Sequence, residues 1–256
     1  MGIILLALAV LPVIFLMIYI YRQDKYEKEP LGLLILSFVG GMLSIPMVLY
    51  GAIPLVESFF YSESVFYSAF VEAAFVEELC KFIVLFLLIW WNKNFNEYMD
   101  GIVYAVFVGL GFACIENILY VFGGGIGTGI VRALLSVPGH FLFAVAMGYF
   151  FALAKFEKKG RGWYLLLSLL VPVLFHGLFD YLLMINDYIP PFLSTIILIL
   201  FIVGDIYLWK IGIKYIRRHQ ASSQFKDMDP IASVETTPYS EDPEYKHIDW
   251  DAGNKY

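Results

Sequence analysis

The sequence predicts an all-α fold, a polytopic membrane helical bundle of about seven transmembrane helices with the N-terminus outside and the C-terminus cytoplasmic. Three observations predict it. Of 256 residues, 60% are hydrophobic and only 16% are charged, against about 25% in an ordinary soluble domain. The apolar residues gather into runs of about 18 or more, long enough to cross a hydrocarbon core of about 30 Å at about 1.5 Å per residue. The basic residues are confined to alternate connections. The same composition excludes other classes. Seventeen Lys and Arg face 23 Asp and Glu, a net charge of -6, so no basic surplus exists to neutralise phosphates and no nucleic-acid partner is expected. Two cysteines cannot staple a small secreted domain.

The spans run from Gly2 to Tyr21, Leu31 to Val56, Val65 to Trp91, Gly101 to Phe122, Ile130 to Ala154, Trp163 to Ile185 and Phe192 to Trp209. The first lacks a basic n-region and exceeds the apolar core of a signal peptide, about 7 to 15 residues, so it reads as a helix. Pro30 opens the second, and the polar stretch Asn92 to Asp100 separates the third from the fourth. A Gly-rich turn, Gly123 to Gly129, follows the fourth, and Pro190-Pro191 precedes the seventh. No internal repeat is visible. Apart from Lys81 and Arg132, every Lys and Arg lies in an odd-numbered connection or beyond the seventh span, which places those connections in the cytosol and the bundle in a plasma membrane. Residues 1–218 thus form the bundle. Residues 219–256, with eight acids and three lysines among Ser, Thr and Pro, read as a disordered acidic cytoplasmic tail.

An ionisable side chain at the bilayer centre costs about 2.5 to 3.5 kcal/mol, so those inside spans carry information. Glu77, Glu78 and Lys81 lie in span three, Glu116 in span four, His140 in span five, and His176 with Asp180 in span six. Lys81 is three and four residues from the two glutamates and can touch both. A buried ion pair explains Lys81 with one Glu. The second carboxylate then needs a proton, a metal or another donor. His176 and Asp180, four apart, share a face on which the acid can orient the imidazole. Counted from the outer ends, these groups lie about 8 to 18 Å deep, so four helices aim acids and imidazoles at one pocket in the outer half of the bilayer. Such a cluster is a functional-site candidate. Cys80 and Cys114 read as packing residues.

The motifs Glu77-Glu78-x-x-Lys81, Phe112-Ala113-x-x-Glu116-Asn117, His140 in the next span and His176-x-x-x-Asp180 resemble, in order, those of the PrsW family of membrane proteases, relatives of the type II CAAX prenyl endopeptidases. The resemblance covers Phe75 to about Tyr181. It implies an intramembrane endopeptidase that makes the site-1, extracytoplasmic-side cut in a single-span anti-sigma factor, with Glu77, Glu78, Glu116, His140, His176 and Asp180 as catalytic candidates and Lys81 and Asn117 supporting them. Lys81 stands where the prenyl endopeptidases keep an Arg one residue later, and Glu116 where their second motif ends in His. These departures argue against prenylated substrates.

Hydrolysis needs an activated water, donors for the oxyanion and an acid for the leaving amine, and two assignments stay open. In one, Glu77 or Glu78 is the base and His176, oriented by Asp180, stabilises the oxyanion without a cofactor. In the other, His140, His176 and one carboxylate such as Glu116 bind a zinc ion, leaving the Glu pair as base. The metal-free form needs no extra component. Rival readings are a proton- or ion-coupled transporter, for which the polar cluster is too one-sided, and a non-catalytic scaffold.

Overall fold

The structure, a computed structural model, describes residues 1–226, and these form seven helical rods without a strand among them. The rods are α1 (Gly2–Gln23), α2 (Leu31–Phe59), α3 (from Val65 through Ile89), α4 (Tyr98–Val131), α5 (Val137–Phe156), α6 (Arg161–Met184) and α7 (Pro191–Lys226). Five runs are long and apolar enough to cross a membrane: Gly2–Gln23, Leu31–Phe59, Tyr98–Phe156, Arg161–Met184 and Pro191–Ser223. Tyr98–Phe156 is the pair α4 and α5. The rod α3 is set apart by Glu72, Glu77, Glu78 and Lys81.

The core is α4. Every residue from Met99 to Cys114 is buried, as expected of a helix that is apolar all round. Around it stand α1, α2 and α7, whose outer faces present Leu11, Phe15, Leu43 and Ile199 outward, and α5, which has no exposed residue from Val137 to Phe156. Contact between α2 and α4 rests on missing side chains: a Cβ on Gly41 would lie 1.9 Å from the Val108 carbonyl oxygen, and one on Gly111 would lie 2.0 Å from that of Phe38. Backbones this close are the small-residue packing of membrane helices. Pairing of Gly101 with Ala152 and of Gly109 with Ala144 sets α5 antiparallel to α4.

Three departures from the expected boundaries have physical causes. The Gly-rich stretch is no open loop. It stays helical except at Gly125, where φ is 79° and the chain breaks direction, a conformation that L side chains rarely adopt. Two rods contain π-helical stretches, Ser68–Phe75 just before Glu77 and Val48–Ala52 just after Pro46, and a third, Arg132–Ser136, leads into α5. Such stretches recur beside functional sites. Finally, α7 passes the boundary expected at Arg218 and continues to Lys226. Its extension is held by burial: His219 Nε2 donates to the Tyr149 carbonyl at 2.9 Å, and Ser223 Oγ accepts from the Met99 amide at 3.1 Å. The remainder of the expected tail, 227–256, lies outside the described residues.

The connection between α1 and α2 folds back on the start of α4, where Glu29 accepts a hydrogen bond from the Tyr104 hydroxyl. Burial and the neighbouring Asp100 push the Glu29 carboxyl from 4.5 up to about 10, while burial raises Asp24 to about 6. Between the two Glu29 values the folded chain holds a proton that the unfolded chain has released, so stability falls as pH rises through that window. The thermal midpoint in detergent is expected to drop from pH 7 to 9, beyond the Asp24 range, and to drop less in Glu29→Gln. An equal drop in both proteins refutes this.

Candidate active site

Four rods bring the expected residues together. On α3, Glu77 and Glu78 precede Lys81 by one helical turn, and its ammonium donates to Glu77 Oε2 at 3.2 Å and to Glu78 Oε1 at 2.8 Å. It also lies 3.9 Å from the centroid of the Phe112 ring on α4, a cation–π contact strengthened by exclusion of water. The two glutamates are not equivalent. Glu77 lines a cavity, whereas Glu78 is 1% exposed and lies beneath it.

His140 on α5 stands between Glu116 and Lys81. Its Nε2 is 2.8 Å from Glu116 Oε2, and its Nδ1 is 3.3 Å from Lys81 Nζ. An ionised carboxylate only accepts and an ammonium only donates, so Nε2 carries the proton and the Nδ1 lone pair points into the cluster. On α6, His176 Nε2 is 3.2 Å from Asp180 Oδ2 and Nδ1 is 2.9 Å from Glu78 Oε1. The ring stacks on Phe143 at 4.8 Å. Each imidazole therefore has a carboxylate behind its Nε2, the arrangement by which outer carboxylates orient metal-binding histidines; the two differ at Nδ1, which in His140 faces an ammonium and in His176 faces the Glu78 carboxylate, to which it donates.

Glu77, Glu78, His140 and His176 each offer one donor atom, and those atoms all lie within 4.8 Å of one another. This group fits a metal in its chemistry of two imidazoles and two carboxylates, while the Lys81 ammonium sits against three of the same donors and competes for them. Glu116 lies outside this set. Its Oε2 is taken by His140 and by Arg132 Nη2 at 2.7 Å, an ion pair rather than a well-aligned hydrogen bond. Asn117 faces away from the cavity, donating to the Ala9 carbonyl and accepting from Arg132 Nε.

The sequence sets Arg132 apart only as an exception to the loop-charge pattern. It lines the same cavity, a space of about 220 Å³ that also receives Glu77, Glu116, His140, His176 and Asp180. The signal for it was its departure from the loop-charge pattern, being the basic residue at the outer end. With neutral imidazoles, the carboxylates Glu77, Glu78, Glu116 and Asp180 exceed Lys81 and Arg132 by two charges. Burial makes that excess costly, and one divalent cation or two protons balances it.

Glu116→Gln keeps an oxygen for the His140 N–H but removes the charge that pairs with Arg132. Loss of such an outer partner costs about 10- to 100-fold in activity or metal affinity. We expect cleavage to fall by that factor while the protein accumulates normally in membranes; unchanged cleavage rules out the orienting role.

Buried acids and imidazoles converging on one cavity inside a membrane bundle mark a functional site within the bilayer, and its class follows from the proteins this chain resembles. A family profile described as "PrsW family intramembrane metalloprotease" matches residues 29–205. Over 229 residues the chain is 38% identical to "Protease PrsW" of Clostridioides difficile (strain 630), covering 86% of this chain and 93% of that one. It is 40% identical over 184 residues to "Protease PrsW" of Geobacillus kaustophilus (strain HTA426), covering 72% and 81%, and 34% identical over 219 residues to that of Bacillus subtilis (strain 168), covering 82% and 93%. No solved structure matches. The chain belongs to the PrsW family of intramembrane metalloproteases. It is a membrane-embedded peptidase, a multi-pass protein of the bacterial cell membrane.

Proposed function

We propose that the chain makes the site-1, extracytoplasmic-side cut in a single-span anti-sigma factor, the cut that leads to release of the sigma factor. The position of the cavity supports the side of the cut. It is lined by Leu183 and Met184 at the C-terminal end of α6 and by Arg132 just past the Gly125 break. The basic connections after α1, α3 and α5, with Lys25, Lys28, Lys93, Lys158 and Lys159, belong to the opposite end. The loop-charge rule assigns that end to the cytosol, so the N-terminus and the cavity face outward. The choice of an anti-sigma factor rests on the motif resemblance.

His140 and His176, through Nδ1, and Glu78 would hold a zinc ion, the metal that suits two imidazoles and a carboxylate. When bound, zinc supplies Lewis-acid activation of the attacking water and of the scissile carbonyl. Glu77, the carboxylate of the pair that reaches the cavity, takes the proton of the water as its oxygen bonds to the carbonyl carbon. As the C–N bond breaks, Glu77 returns that proton to the leaving nitrogen. Glu116 and Asp180 hold the imidazoles in one tautomer, and Lys81 offsets the paired glutamates. One observation favours the metal-free alternative: the Lys81 ammonium lies against the same donors.

Co-expression with a single-span anti-sigma factor tagged at both ends tests the proposal. The expected product is a membrane-retained fragment whose new N- or C-terminus maps to the extracytoplasmic flank, absent with Glu77→Gln. A cut on the cytosolic flank overturns the assignment of side.

A further inference from the structure

Beside the catalytic cavity, α6 and α7 flank a second, open groove of about 200 Å³, apolar apart from Asp205 and the Tyr207 hydroxyl. Phe175, Leu178 and Leu182 of α6 face Phe201 and Leu208 of α7 across it, and Asp205 projects from α7 into it. Two observations distinguish this groove from an ordinary lipid-facing crevice. Asp205 lies about 21 Å along α7 from Pro191, inside a membrane-crossing run, yet its Oδ1 is buried without a hydrogen-bond partner. Phe179 lines both the groove and the catalytic cavity, its ring 4.9 Å from Phe201 and 5.8 Å from Phe143. The groove is also open to a further helix, because few residues of the most apolar stretch of α7 are buried within the bundle.

We infer that the groove between α6 and α7 docks the transmembrane helix of the substrate, and that Asp205 selects helices carrying a polar residue at its depth. This rests on the peptidase reading of the neighbouring site. A lipid chain would fill the apolar walls but leave Asp205 unsatisfied, which hydrocarbon penalises. A helix with an amide or hydroxyl side chain fills the walls and satisfies the carboxyl group, and an amide, both donor and acceptor, does so in either protonation state of Asp205. Phe201 is one turn from Asp205 toward Pro191 and touches Phe179. A helix paired with Asp205 therefore brings its residues one to two turns outward to the level of the catalytic cavity.

The test uses the full chain in membranes, inactivated by Glu77→Gln, with Tyr207 on the groove or Phe15 on the distant face of α1 replaced by photoreactive p-benzoylphenylalanine. The probes are two single-span reporters with an oligoleucine helix of about 20 residues, one carrying a single Asn at the Asp205 depth and one carrying none. From position 207, the Asn reporter should crosslink about 3- to 10-fold more than its control, the range of one interhelical hydrogen bond in a membrane. Asp205→Asn should keep this preference and Asp205→Leu should lose it. Equal yields from both reporters, equal yields from position 15, or crosslinks at 207 only to lipid or to a second copy overturn the docking site. The peptidase reading fails separately: reporters that dock yet stay uncut by the chain with Glu77 intact refute hydrolysis, whereas cutting that is indifferent to Asp205→Leu refutes docking alone.

Discussion

Glu77→Gln should abolish most cleavage, by a factor of about 10² to 10⁴, the usual contribution of a general base, without lowering the amount of protein in the membrane. The glutamine has the same shape and keeps a side-chain oxygen for Lys81, which retains its contact with Glu78 at 2.8 Å. What it loses is the ability to take a proton from water in the cavity. Glu78→Gln is expected to behave differently. Glu78 Oε1 is shared by Lys81 and His176 and is wholly buried, so neutralising it leaves two buried groups short of a counter-charge, a change that is strongly destabilising. Cleavage and thermal midpoint should fall together there, and separately for Glu77. The measurement is the initial cleavage rate of a co-reconstituted single-span substrate beside a thermal scan of each purified variant. Wild-type rates in Glu77→Gln would remove Glu77 from the chemistry.

Metal removal is the second large effect. If two imidazoles and Glu78 hold zinc, the purified protein should contain about one equivalent per chain by elemental analysis, and a chelator should reduce cleavage by about 10² or more, with recovery when zinc is restored. His140→Ala and His176→Ala should each remove a ligand and lose both metal and activity. Asp180→Asn should keep the metal but bind it about 10- to 100-fold more weakly, since it disturbs only the partner behind His176. Full cleavage by protein stripped to trace metal would sink the zinc assignment and leave the Lys81-centred, metal-free form.

Much of the architecture was readable because a bilayer allows few choices. Each apolar run of spanning length must be helical to satisfy its own backbone, and Leu31, Val65 and Trp163 fall at or within two residues of the start of an observed helix. The same rule explains the error at Gly123 to Gly129. Glycine disfavours helix in water, but this segment satisfies its backbone by helical hydrogen bonds everywhere except Gly125. The extension of α7 was hidden because the basic run ending at Arg218 looks like a terminus, whereas His219 and Ser223 find partners on α5 and α4 that no local pattern announces. In the site, pairs on a single helix were legible: Glu77 and Glu78 with Lys81, and His176 with Asp180, follow from spacing alone. Pairs across helices were not. That Glu116 backs His140, and that Arg132 neutralises Glu116, depends on how α4 and α5 are rotated against each other, which helical spacing does not specify.

The π-helical stretch Ser68–Phe75 bears on how this gene can tolerate insertions and deletions. A wider turn absorbs an extra residue without lengthening the rod. Dropping one residue there should let α3 close into a regular α-helix while the turns on either side stay in register, so that Glu77 still looks into the cavity. A deletion at Leu79 or Cys80, in the regular part of the rod, has no wide turn to absorb it; it rotates all that follows by about 100° and takes Lys81 out of register with the two glutamates. Single-codon deletions between Ser68 and Phe75 should therefore be tolerated far better than single-codon deletions at Leu79 or Cys80, although neither kind removes a catalytic candidate.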